Sequence, residues 1–465
     1  MRAMPRLLIA GLSGGSGKTV VSIGALLLLR RAGVEVRAFK KGPDYIDPAW
    51  LAWASASPVR NLDTFLMGPE RVCASFLRHG TSEGVNLIEG NRGLFDGFDA
   101  AGTHSSAVLA ETLSAPVVLV VDATKMTRTA AALVLGCQKL DPRLSLRGVV
   151  LNNVNGRRHE KVLSEAIESS CGIPVIGALP RATFNPLPER HLGLVPPEEH
   201  GAIDHVEEGL LRIVKGRMDV DRLIEIAYSA FPLEPYAEER PLLPNARGLK
   251  IGYLKDSAFS FYYPENLEEL ERAGAEVVPL SAMRSSALPD DLCALYIGGG
   301  FPETHARELA ANKSFLASLR RACENGLPVY AECGGLMLLA RSMTWKGTRY
   351  PMADVLSIDV EVFSTPQGHG YSELRVDTRN PFFPLKTVLR GHEFHYSRIM
   401  GAAEPPHTAC AVVRGAGCSD GRDCLLVGNV MAGYTHLHAG ATPEWGKGMV
   451  LAAHEFALRT RAVKV

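Results

Sequence analysis

Residues 6–31 read RLLIAGLSGGSGKTVVSIGALLLLRR. The apolar run Arg6–Ala10 suits a strand, and Lys18–Arg31 repeats apolar residues at the three- and four-residue spacing of a helix. Between them lies a glycine-rich turn, Gly11–Thr19. A strand, such a turn and a helix in that order aim backbone N–H groups into one hollow that suits phosphate. Gly14, Gly15, Ser16 and Gly17 form the cradle, Lys18 reaches the β- and γ-phosphates, and the Thr19 hydroxyl is a Mg²⁺ ligand. The strict G-x4-G-K-[ST] pattern needs glycine at position 12, where this chain has Leu12; its first loop glycine, Gly11, comes one residue earlier.

Outward from this loop the pattern repeats. Strand-like runs at Arg6–Ala10, Val34–Phe39, Asn86–Glu89, Val117–Asp122, Gly148–Asn152 and Pro174–Ala178 alternate with helical segments such as Lys18–Arg31, Thr129–Leu140 and His159–Ser169. Such alternation predicts an α/β fold with a parallel sheet. At 465 residues the chain is too long for one core. Periodicity breaks at Pro232–Arg247 (PLEPYAEERPLLPNAR), and a fresh strand begins at Leu249–Leu254. The expected division is a nucleotide domain over 1–235, a linker over 236–248 and a second domain over 249–465. Each domain is expected to be a mainly parallel sheet flanked by helices, with antiparallel material between Pro351 and Arg414.

Mg²⁺ prefers hard oxygen ligands, so carboxylates at neighbouring strand ends should join Thr19. Asp44, in KKGPDYIDP, and Glu89, at the end of NLIE, are placed for that, and Asp122 is a third candidate whose alternative role is to cap the next turn. Lys40, Lys41 and Arg92 would make the same rim positive.

A second glycine-rich stretch, AECGGLM (Ala331–Met337), places Cys333 between an apolar run and the helical pattern LMLLARSM. This is the sequence form of a nucleophile elbow. Gly334 follows the sulfur, and IGGGFPE (Ile297–Glu303) offers Gly299 and Gly300 as backbone donors for an oxyanion. His436, in GYTHLH, is the expected base, while His392 and His395, in GHEFHYS, compete as bases or substrate contacts.

These motifs resemble the cobyrinic acid a,c-diamide synthase family, glutamine-dependent amidoligases that act on corrinoid and related tetrapyrrole carboxylates. The matching segments are GLSGGSGKT, KGPDYIDP, NLD (Asn61–Asp63), GLFDG (Gly93–Gly97), LNNV (Leu151–Val154), LPERHLGL (Leu187–Leu194), GGGFPE, AECGG and GHEFHYS. The first part looks like a dethiobiotin-synthetase-type P-loop domain, and the second like a flavodoxin-like class I glutamine amidotransferase. The resemblance implies that Cys333 and His436 release ammonia from glutamine through a thioester. ATP and Mg²⁺ would activate a tetrapyrrole carboxylate as an acyl phosphate, with Thr19, Asp44 and Glu89 as metal ligands, Asn152 at the adenine, and Tyr45 and Asp96 at the substrate. Ammonia must meet the acyl phosphate before water does, which makes a protected path an expectation.

Two departures bear on the substrate. Lys41 and the pair Asn91–Arg92 replace small or apolar residues common in corrinoid members, so sirohaem and nickel-sirohydrochlorin stand as alternative substrates. A third departure is His438, which occupies the place where class I amidotransferases carry the carboxylate that orients the histidine. That leaves a Cys-His dyad. A P-loop ATPase switch with a non-catalytic second domain is the rival of another class, disfavoured because Ser13 stands where such proteins carry a signature lysine.

The 50 basic and 50 acidic residues balance, hydrophobic residues are 46% and charged ones 22%. No nucleic-acid or membrane partner is expected from this, and a cytoplasmic location is. The sequence leaves a homodimer open. Nine cysteines lack tight CxxC pairs, and Cys418 with Cys424 forms only a wide one.

Overall fold

The computed structural model describes residues 3–181, 187, 189–190, 193–194, 197, 203–234, 243–402 and 406–463. Residues 188, 191 and 192 of LPERHLGL therefore lie outside the described residues, as does the linker stretch 236–242. The chain divides into two compact units, 1–239 and 240–465.

The first unit is built on seven strands: β1 (Arg6–Gly11), β2 (Val36–Lys41), β3 (Arg60–Leu62), β4 (Val85–Gly93), β5 (Val117–Asp122), β6 (Leu146–Val154) and β7 (Val175–Pro180). They pair in the order β3-β2-β4-β1-β5-β6-β7, every pair parallel. All six residues of β1 are buried, as a strand covered on both faces requires. Helix α1 (Lys18–Arg31) follows the loop and buries Val21, Ile23, Leu26, Leu27 and Leu29. Each such side chain is worth roughly 1.5–3 kcal/mol when fully withdrawn from water. Gly24 lets the helix Ile203–Val214 approach, since a Cβ there would meet Val214 Cγ1 at 2.5 Å. Because β1 lies between β4 and β5, three strand ends surround the glycine loop, the usual position of a ligand crevice in such sheets.

Several of these strands run further than the sequence pattern indicates, and two of the extensions bear on the site. β2 continues through Lys40 and Lys41, and β4 through Asn91 and Arg92 to Gly93. Pairing with neighbours extends a strand past the point where apolar residues stop.

The second unit holds a ten-stranded sheet. Its first five strands, Glu276–Leu280, Lys250–Leu254, Leu292–Ile297, Val329–Glu332 and Val430–Gly433, are parallel neighbours in that order. The remaining five, Arg422–Val427, Thr408–Arg414, Gly368–Val376, Val388–His395 and His436–Leu437, extend it with antiparallel pairings. The parallel expectation thus describes the first half of this sheet, and an antiparallel extension carries His436. The helix expected over LMLLARSM stops at Leu339. Ala340–Trp345 instead forms a strand between Thr348–Pro351 and Leu356–Val362. There Ser342 and Arg341 bond the Asp359 carboxylate, so tertiary partners override helical spacing.

Candidate active site

The glycine loop is held from several sides. The Ser16 carbonyl accepts from Asn152 Nδ2 at 3.0 Å, and Leu94 N donates to the Gly11 carbonyl at 2.7 Å. Gly17 has φ +90°, and a Cβ there would meet Asn152 Nδ2 at 2.1 Å, so only glycine fits. Gly15, at φ +76°, makes a second left-handed turn. Asn152, expected at the adenine, braces the loop in this structure. Lys18 Nζ bonds the Ser13 carbonyl at 3.2 Å. Its ammonium is held below its ordinary pKa by burial and then by Lys40, against the opposing pull of Glu89, Asp47 and Asp96. Asp96 accepts from Gly93 N at 2.9 Å, which fixes this acidic group close to the loop lysine.

Beside the loop, Thr19 Oγ1 bonds Glu89 Oε1 at 3.1 Å. The same oxygen lies 2.6 Å from Lys40 Nζ, which also contacts Asp47 Oδ2 at 2.6 Å and Asp44 Oδ2 at 3.8 Å. Lys40 is therefore no rim cation: it is 2% exposed and committed to three carboxylates. The reason is the extension of β2, which turns it inward beneath the loop. Burial depresses its pKa, but Asp47, Glu89 and Asp44 outweigh this and raise it. Burial and the charge of Asp47 lift Asp44 to about 7, despite Lys40 and the N–H groups of Ile46 and Asp47. Burial also lifts Glu89, whereas the Lys40 charge and hydrogen bond keep Asp47 low.

Lys41 is likewise buried, with Asp63 as the counter-charge that opposes its desolvation, so of the three expected rim cations only Arg92 is exposed. Tyr45 sits half-buried at the start of the helix Ile46–Ser55, next to Asp44. Asp122 takes its capping role, accepting from Thr124 N and Oγ1 and from Asn153 Nδ2. Among the described residues no three His, Cys, Asp or Glu side chains form a ready metal cage, because the Lys40 ammonium lies among the carboxylates. The donor set itself, a hydroxyl and three carboxylates, is the hard-oxygen chemistry that Mg²⁺ takes.

In the second unit Cys333 has φ +49° and ψ −97°, a strained position at a strand-to-helix turn, with the side chain buried. Cys333 N bonds the Gly433 carbonyl at 2.7 Å, and Met337 N bonds the Cys333 carbonyl at 3.1 Å. Burial pushes the thiol far above its ordinary pKa, followed by the charge of Glu303, and the Gly334 amide acts in the opposite sense. At rest the sulfur keeps its proton, so it needs a base. The His436 ring lies against Gly299: a Cβ on Gly299 would meet His436 Cε1 at 2.6 Å and Nε2 at 3.3 Å. The Gly300 amide nitrogen lies 3.2 Å from where a Cβ on Gly334 would stand. The elbow, the IGGGFPE loop and His436 thus converge. His392 stacks on His436 at 5.0 Å, and burial drives its pKa well down. His395 stacks on Tyr434 at 3.7 Å and directs Nδ1 to the Ser397 carbonyl. All nine cysteines are free, and Cys418 donates to Asp423 at 2.9 Å.

Residues 7–195 match the family model described as the CobQ/CobB/MinD/ParA nucleotide binding domain, and residues 250–444 match the CobB/CobQ-like glutamine amidotransferase domain. A protein of Magnetococcus marinus named cobyrinate a,c-diamide synthase is 42% identical over 95% of this chain and 96% of its own length. Proteins of the same name from Dehalococcoides mccartyi and Archaeoglobus fulgidus are 38% and 39% identical, over 97% and 94% of this chain and 99% and 94% of their own lengths. The chain belongs to the cobyrinate a,c-diamide synthase family. It is a glutamine-dependent amidoligase with a nucleotide-binding domain.

Within this family member the structure adds residues that sequence spacing does not single out. Asp47 lies three residues past Asp44, at the first turn of a helix, and its charge-dense neighbourhood becomes visible only when β2 and β4 pair. Asn61, inside the matched NLD, donates to the carbonyls of Gly42 and Asp44 and so fixes the acidic turn. Asp423 is fully buried and accepts from the amides of Cys424, Tyr434 and Thr435, anchoring the approach to His436. No helix among the described residues is long and apolar enough to cross a membrane.

Proposed function

We propose that this protein converts cobyrinic acid to its a,c-diamide, using ATP to activate each acetate carboxylate and glutamine as the nitrogen source. The observation that carries the reading is the near-full-length similarity to cobyrinate a,c-diamide synthases in a chain that holds both a phosphate loop and a Cys-His site. Burial of Lys41 also removes one of the two departures, Lys41 and Asn91–Arg92, that pointed toward sirohaem or nickel-sirohydrochlorin.

In this reading Gly14, Gly15, Ser16 and Gly17 cradle the triphosphate and Lys18 neutralises its outer phosphates. Asn152 keeps the loop in register for adenine nucleotide. Thr19, Asp44, Asp47 and Glu89 would hold Mg²⁺, whose charge supports the phosphoryl group as it transfers. Tyr45, Arg92 and Asp96 border the substrate carboxylate. At the other site the Cys333 proton passes to His436 as the sulfur attacks the glutamine amide. The oxyanion is met by amides of the Gly299–Gly300 loop and Gly334. His436 returns the proton to the departing ammonia, and water hydrolyses the thioester to glutamate. Ammonia then displaces phosphate from the acyl phosphate.

The test presents cobyrinate, sirohaem and nickel-sirohydrochlorin in parallel with ATP, Mg²⁺ and glutamine, reading ADP release and product mass. Cobyrinate should be consumed at least about tenfold faster than either rival, a margin one or two specific contacts supply. Preference for another tetrapyrrole would replace the substrate, and ATP turnover without any amide product would restore the ATPase-switch reading.

A further inference from the structure

His438 does not orient His436. Its Nδ1 accepts from Gly440 N at 3.0 Å, its Nε2 faces Glu265 at 3.6 Å, and its ring lies against Tyr263 at 4.6 Å. The strand His436–Leu437 is two residues long, so the chain turns before the next side chain can return to the same face.

Another carboxylate stands where an orienting group is required. Glu332 precedes Cys333 and ends the strand Val329–Glu332. Its Oε2 lies 3.4 Å from His436 Nδ1, and both side chains are buried, at 1% and 2% exposure. Tyr296 Oη donates to Oε2 at 2.9 Å, and Leu437 N donates to Oε1 at 3.0 Å. The carboxylate is thus anchored from its own sheet and from the backbone that carries the histidine. With Nδ1 turned to Glu332, the Cε1–Nε2 edge of the ring faces Gly299, whose neighbour Gly300 packs against Gly334 of the elbow.

We propose that Glu332 is the positioning residue of the thiol site: it holds the Nδ1–H tautomer of His436 and supports the imidazolium formed when Nε2 takes the Cys333 proton. This rests on the glutaminase reading above. The need is physical. Cys333 is buried among acidic groups, so its thiolate forms only as an ion pair with a protonated base, and a buried imidazolium requires a counter-charge. Class I enzymes ordinarily place that carboxylate after the histidine. This chain places it before the nucleophile, so that one peptide bond links the base's anchor to the sulfur it serves. The charged and titratable groups around His436 are Glu332 and Cys333 from the elbow strand and turn, Tyr296 behind Glu332, and His392 stacked on the ring with His438 and His369 near it.

The test compares wild type with Glu332→Gln, Glu332→Asp and Cys333→Ala, each assayed with glutamine and with ammonium. Glu332→Gln should lower glutamine-dependent kcat on the order of 10²–10³-fold. The glutamine KM and ammonia-driven synthesis should stay within about threefold, because they do not use the imidazolium. Glu332→Asp should recover at least about a tenth of wild-type kcat, since it restores the charge. A Glu332→Gln kcat within about threefold of wild type, or an equal loss with ammonium, would overturn the proposal. Histidine-labelled NMR of the wild type, assigned against His436→Gln, tests it without altering Glu332: a proton on Nε2 of neutral His436 would also overturn it. Cys333→Ala separates the two readings. If it keeps glutaminase activity the thiol assignment fails; if it is inactive while Glu332→Gln is normal, only the role of Glu332 fails.

Discussion

The phosphate site and the thiol site are assembled in opposite ways. The first draws on a contiguous loop, Gly11–Thr19, and adds Glu89 from β4, Lys40 from β2, and Asp44 and Asp47 from the turn and helix start that follow β2. The second joins residues about a hundred positions apart, Cys333 and His436, through a parallel sheet and its antiparallel extension. The difference concerns charge as well as distance. At the phosphate site acidic groups are met by a lysine already among them, whereas in the proposed thiol chemistry the charge pair forms only when a proton moves from sulfur to ring, beside the Glu332 carboxylate. A site that handles a polyanion with a cation benefits from preset charge, and a site that must generate a thiolate benefits from a buried sulfur with an anion already placed behind its base.

That contrast can be broken most sharply at Cys333. Cys333→Ala should reduce glutamine-dependent amidation by at least about 10⁴-fold and leave ammonium-dependent amidation within about twofold. Loss of both would mean that the thiol site is not a separable nitrogen source. Glu89→Gln should show the complementary pattern, a fall on the order of 10²-fold with either nitrogen donor, because it removes a carboxylate that would hold Mg²⁺ at the phosphate site. Retained ammonium activity there would remove Glu89 from the phosphate chemistry.

Lys40→Met sharpens the charge half of the comparison. It leaves Asp47 and Glu89 without the ammonium that bonds each at 2.6 Å. An unpaired buried charge costs about 3–5 kcal/mol, so thermal melting should drop by roughly 6–20 °C for a unit of this size. A melting temperature within a degree or two of wild type would mean that the lysine does not hold the cluster together.

The smallest expected effect is at Asp44. Its pKa is raised to about 7 in the folded protein, mainly by burial and Asp47, so the native state retains a proton that the unfolded chain gives up. Between an ordinary carboxylate pKa near 4 and about 7, wild-type stability therefore falls as pH rises, and Asp44→Asn removes that contribution. The variant should melt higher than wild type at pH 7.5 and differ little from it at pH 4. An equal difference at both pH values would argue against the raised pKa.

Much of this architecture is legible in local sequence. The glycine loop, α1 and the alternation of strands follow from local spacing, since periods of two and about three and a half residues are what strands and helices bury. Cys333 and its glycine turn are equally local. Lys40 reads as a rim charge because the apolar run of β2 ends at Phe39, but pairing with β4 carries the strand two residues further. LMLLARSM has helical spacing, yet its second half finds partners on both sides as a strand. Glu332 is hidden by its ordinary setting, a polar residue beside a recognisable nucleophile, with nothing local to link it to a histidine 104 positions away.

Two chemistries are therefore written in the chain itself: a phosphate loop with its lysine and threonine, and a thiol on a strained turn. Each occupies a few consecutive residues whose backbone geometry is nearly obligatory. The partners were decided by tertiary packing alone: Lys40 among Asp44, Asp47 and Glu89, His436 between Gly299 and Glu332, His438 turned toward Glu265. Partner choice depends on how far strands extend and which neighbours they pair with. That is settled by hydrogen bonding and burial summed over the sheet, in which no single segment carries the information.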